Sequence, residues 1–102
     1  MIIYNVTTSV HPTVQASWVK WMQQVHIPEV MATGCFTAVT LAKLIELDDA
    51  EQHTYCCQYT APSLSIYHTY IATYSTALRN KSIAQWGNAC LVFRTVMQTV
   101  SE

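Results

Sequence analysis

The chain has 102 residues, 51% of them hydrophobic and only 11% charged, with a net charge of −1; this suits a single domain, residues 1–102, around one core. Its five cations, Lys20, Lys43, Arg79, Lys81 and Arg94, form no basic cluster, so nucleic acid is not an expected partner, because that binding depends on neutralising several phosphates together. No apolar run nears the roughly 20 residues of a membrane span and no signal-peptide pattern opens the chain, so a cytoplasmic protein without membrane contact is expected.

Residues 2–10, IIYNVTTSV, are rich in β-branched and aromatic types and close at His11-Pro12-Thr13, which predicts a first strand. From Thr13 the apolar positions Val14, Trp18, Trp21, Met22 and Val25 recur at helical spacing, predicting a helix to about Val30 that stops near Thr33-Gly34. Pro28 lies inside it and should bend or loosen the last turn, since it lacks a backbone donor and clashes with the turn before it. CFTAVTLAKLIEL (35–47) and HTYCCQYTA (53–61) read as strands joined by the polar LDDAEQH turn, a hairpin with a longer loop. The acidic residues Glu46, Asp48, Asp49 and Glu51 there read as a solvated turn rather than a cation site.

Ser63, after Pro62, is the better N-cap candidate for a second helix with the stripe Leu64, Tyr67, Ile71, Tyr74 and Leu78. That helix is expected to fray over 80–86, with a turn at Gly87-Asn88 and a fourth strand in ACLVFRTVMQTV (89–100). The order β-α-β-β-α-β is ferredoxin-like, an α+β fold. Right-handed crossovers put both helices on one face of a four-stranded antiparallel sheet, with the first strand between the third and fourth.

Cys35, Cys56, Cys57 and Cys90 make no Cys-x-x-Cys pair and have no matching histidine spacing, so no metal site is expected. They read as small buried hydrophobes, with a redox role open to an exposed, activated thiol. Both faces of some strands look apolar. In the second strand Phe36, Ala38, Ala42 and Leu44 oppose Cys35, Val39, Leu41, Ile45 and Leu47; in the fourth, Cys90, Val92 and Val96 oppose Leu91, Phe93 and Met97. Two helices cover one face only, so a second copy is expected over the other, giving a homodimer with a shared interior.

MIIYNVT, WVKWM followed by VHIPEVMATGCF, YTAPSLSIYHTY and the terminal VFRTV resemble the bacterial family catalogued as domain of unknown function 4286, with HIPEVMATG the most specific piece. The resemblance implies a short ferredoxin-like protein and supplies no catalytic residues and no cofactor. In architecture the chain is also similar to dimeric α/β-barrel proteins, which include cofactor-independent monooxygenases and haem-degrading enzymes; this is an analogy of fold.

Trp18 and Trp21 read as core. His26 and Glu29, one turn apart, are either a histidine oriented by a carboxylate, as a general base requires, or a polar contact at a loosened helix end. His68 reads as an exposed histidine, or else as part of a pocket with Asn5 and a tryptophan, the residue types that the haem-degrading resemblance implies. Asn5, Gln58 and Arg94 interrupt apolar strands and form either an internal polar network or interface contact, or a ligand-orienting set. Two functions follow: a homodimeric module for association or for a small apolar or aromatic ligand, or a cofactor-independent monooxygenase or haem-degrading enzyme.

Overall fold

The computed structural model describes residues 1–46 and 53–100. Strands β1 (Ile2–Val10), β2 (Ala38–Lys43), β3 (His53–Ala61) and β4 (Cys90–Gln98) form one antiparallel sheet in the order β2-β3-β1-β4. The first helical region comprises α1 (Gln15–Trp21), a π turn (Met22–His26) and α2 (Ile27–Met31); the second comprises α3 (Leu64–Thr73) and α4 (Ser75–Trp86). This is the expected ferredoxin-like α+β arrangement, and the limits of β1 and β3 match those predicted. The polar turn and the acidic residues Asp48, Asp49 and Glu51 lie outside the described residues, as does Leu47.

The helices cover the sheet face that carries Tyr4, Val6, Thr8 and Val10 of β1 and Tyr55, Cys57 and Tyr59 of β3. Tyr4 is the hub of that core. Its ring centroid lies 5.5–6.2 Å from those of Phe36, Tyr59, Tyr67 and Tyr70. Ser63 caps α3 as expected, its Oγ accepting the Ile66 N–H at 3.2 Å. The second helix breaks at Tyr74, where the Ser75 hydroxyl donates to the Ile71 carbonyl at 2.8 Å. It does not fray over 80–86. It runs to Trp86 and ends at Gly87, whose φ of 51° favours glycine.

The second strand is shorter than predicted; Val39 and Leu41 lie opposite Ala38 and Ala42 as expected, but Phe36 does not share the side of the two alanines. Val39 and Leu41 pair with Tyr59 and Cys57 and pack on the core, while Ala38 and Ala42 face away. Phe36 is buried because it precedes the strand and turns into the aromatic cluster, outside the strand's alternation. The face without helices is also less apolar than expected. On β1 and β3 it carries Asn5, Thr7, Thr54, Cys56, Gln58 and Thr60, and its large apolar groups are concentrated at Ile3 and along β4, at Leu91, Phe93 and Met97. β4 ends the sheet, and every one of its residues after Cys90 is exposed.

Candidate functional site

Between the helices and the β1–β4 half of the sheet lies a cavity of about 120 Å³. Its sheet side is made by Tyr4, Val6 and Thr8 of β1 with Val92 and Arg94 of β4. The first helical region contributes Trp18, Trp21, Met22, His26 and Val30, and α4 contributes Leu78, Arg79, Ser82 and Trp86. The exposed residues Ile83, Gly87, Val92 and Arg94 place the mouth between the end of α4 and β4.

Pro28 sets the histidine's place on this wall. Its ring would clash with the carbonyl four residues back in a regular helix. Here the preceding turn widens instead: the Ile27 N–H bonds to the Met22 carbonyl, five residues back, the bond of a π turn. Residues four apart, Trp18, Met22, His26 and Val30, then share the inward face, while Val25 is left 41% exposed. The His26 ring stacks on Trp21 at 4.9 Å and 19°, and Trp21 meets Trp86 edge-on at 5.8 Å.

Burial holds the His26 pKa below its ordinary 6.5; the Glu29 carboxylate opposes this, and the charges of Arg94 and Lys81 add to it. The imidazole is therefore neutral at neutral pH, with a free lone pair for a proton. The unfolded chain protonates His26 near pH 6.5 and the folded chain only at lower pH. Stability linked to this group is thus complete above 6.5 and lost as pH falls through the folded value. Urea unfolding between about pH 8 and pH 5 should show this loss, and His26→Gln should reduce it; an unchanged pH profile in the variant would assign the acid limb to other groups.

Arg79 donates from Nη2 to the Tyr4 hydroxyl at 3.1 Å, which fixes the guanidinium against the core. Its Nε and the Trp86 Nε1 are buried and have no hydrogen-bond partner among the described residues. Burial raises the Tyr59 and Tyr70 hydroxyls well above the ordinary phenol value, so both stay protonated. Burial also pushes the Cys57 thiol up to about 11 and raises that of Cys90, which suits packing rather than thiolate chemistry.

Of the residues singled out in the sequence, the cavity gathers His26 and Arg94 with both early tryptophans. Glu29 turns outward into a shallow groove and pairs with Lys81 at 2.6 Å. Its effect on His26 is electrostatic. His68 is exposed on α3, its ring 5.8 Å from that of Tyr67. Asn5 sits on the opposite side of the sheet, where Nδ2 donates to the Thr7 and Thr95 hydroxyls at 3.0 and 3.1 Å. It faces Gln58 in register, whereas Arg94 pairs with Val6, one residue on and so on the other face. Asn5, Gln58 and Arg94 therefore form no single network, and Asn5 and His68 share no pocket. Trp86 was missed because 80–86 read as a fraying end, and Arg79, inside the expected helix, because it lies off the apolar stripe; the spacing Leu78, Ser82, Trp86 continues the inward stripe and was the available signal.

Fold and cavity together define a ferredoxin-like α+β protein with an aromatic-walled pocket between helices and sheet. The chain belongs to the family described as domain of unknown function DUF4286, whose sequence profile matches residues 1–100. No curated protein matches it in sequence. Solved structures that share the fold include the following three. An EthD family protein from Bacillus halodurans C-125 is 10% identical with a TM-score of 0.69, over 98% of this chain and 100% of that one. A protein from Deinococcus radiodurans described as a candidate antibiotic biosynthesis monooxygenase is 13% identical with a TM-score of 0.68, over 100% and 95%. A dimeric ferredoxin-like protein from an uncultured marine organism is 12% identical with a TM-score of 0.67, over 99% and 97%.

Proposed function

We propose that this chain is a cytoplasmic homodimeric module that binds a small aromatic molecule in the cavity beside His26. The observation that carries this is the cavity itself: about 120 Å³ walled by Trp18, Trp21, Trp86, Tyr4, Tyr59 and Tyr70. The space is smaller than the roughly 150 Å³ closed apolar cavity that holds benzene but opens at its mouth, so it suits at most one ring, with any longer part leaving through the mouth. Tryptophan emission, excited at its red edge, should be quenched saturably by 4-methylphenol, and Val6→Phe, which fills the cavity from β1, should abolish the quenching. Equal quenching of both proteins would place the ligand elsewhere. The homodimer is supported by the exposed apolar groups of β4 and by one structural neighbour's description as dimeric.

A second reading, cofactor-independent oxygenation of a phenolic substrate, is favoured by the neutral His26 on the cavity wall, positioned to take a phenol proton. Oxygen uptake with hydroquinone-type substrates tests it; binding without uptake would remove the catalytic reading and leave the module. Haem degradation fits less well, because a one-ring cavity does not admit a porphyrin and Asn5 lies across the sheet.

A further inference from the structure

We infer that the molecule held in this cavity is an anion, a one-ring carboxylate whose carboxylate group lies between Arg79 and Arg94. This rests on the proposal that the cavity is a ligand site and adds the charge of the ligand. Two guanidiniums line one small space from different elements, α4 and β4, and no aspartate or glutamate lines it with them. Among the described residues the salt bridge formed is Lys81–Glu29, in the groove outside the cavity; neither arginine has a carboxylate partner. Arg79 is half-buried and Arg94 exposed at the mouth, and both line the same space without a counter-charge. An anion seated there would be attracted by both.

The hydrogen-bond inventory points the same way. Arg79 Nε and Trp86 Nε1 are buried N–H groups without an acceptor, on residues that both line the cavity. Guanidinium and indole nitrogens can only donate, so what satisfies them must be an acceptor. A carboxylate offers two oxygens with about four lone-pair sites, and its planar fork matches that of arginine. The Tyr4 hydroxyl already holds Arg79 in place, so little ordering is left for the ligand to impose on that side chain. The aromatic walls then take the ring and the arginines take the charge.

Calorimetric titration of the full chain near neutral pH tests this with matched pairs: benzoate against benzamide, and phenylacetate against phenylacetamide. Each pair keeps the ring and changes the charge. At least one acid should bind about tenfold more tightly than its amide. Added salt should weaken the acid and spare the amide. Arg94→Gln, a change at an exposed side chain, should bring the acid toward the affinity of the amide, with an unchanged thermal midpoint as the control for folding; Arg79→Gln should do the same if it folds. Equal binding of acid and amide, or a preference for acid left undiminished by Arg94→Gln, would overturn the anion assignment while the ligand site stands. Binding of none of the four would overturn the ligand site and this inference with it.

Discussion

Replacing Tyr4 with alanine is expected to cost about 3–5 kcal/mol of folding stability, as for other large aromatic truncations in cores. Tyr4 is 3% exposed, and its ring lies within 6.2 Å of four other aromatic rings drawn from β3, α3 and the segment before β2. Tyr67 and Tyr70 cannot follow the shrinking side chain without drawing α3 onto the sheet, so a cavity persists. Against a total of about 5–15 kcal/mol for an ordinary domain, that loss leaves a marginal fold. Tyr4→Phe separates the ring from the hydroxyl: it keeps the packing and removes the acceptor of Arg79, for an expected cost of about 1–3 kcal/mol. Urea midpoints with unchanged slope measure both. A Tyr4→Ala loss below about 1 kcal/mol would show that this cluster is not the centre of the core.

The ferredoxin-like order was legible because β1 and β3 are central strands, where nine residues each pair on both sides or against a full neighbour and the β-forming composition meets no competing demand. Legibility failed where tertiary demands overrode the local period. Phe36 leaves the strand pattern to join the Tyr4 cluster, which shortens β2. Val25 yields its inward place to His26 because Pro28 forces a wider turn, and a reading in regular helical steps places the histidine only on the flank. The same limit applies to the site. Arg94 was visible as a charge in an apolar strand, but which face it occupies depends on the β1–β4 register, and that register put Val6, not Asn5, beside it. Trp86 joins the site because α4 continues to it, whereas Arg79 lay inside the expected helix but off its apolar stripe.

For the proposed homodimer, Phe93→Asp is expected to leave a folded monomer. Phe93 is 67% exposed and Leu91 63%, both on the sheet face without helices, and β4 carries them on an edge strand with no neighbour beyond it among the described residues. Long apolar edges of this kind invite pairing with another chain unless something covers them. The hydroxyl-rich remainder of that face narrows the apolar contact to the β4 side, so Phe93 and its neighbours should carry most of the association. In an isologous dimer the substitution enters twice. Losing the burial of two phenylalanines, at about 1.5–3 kcal/mol each, weakens the dimer by about two to four orders of magnitude before the cost of desolvating the new carboxylates is counted. Because Phe93 makes little contact within its own chain, circular dichroism and the thermal midpoint of the monomer should be retained. Leu64→Asp is the control: Leu64 is also exposed, but at the start of α3 on the helical side, so it should leave the sedimenting mass unchanged. A wild-type chain that sediments as a monomer at micromolar concentration would refute the dimer. Equal dissociation by both substitutions would move the contact away from β4.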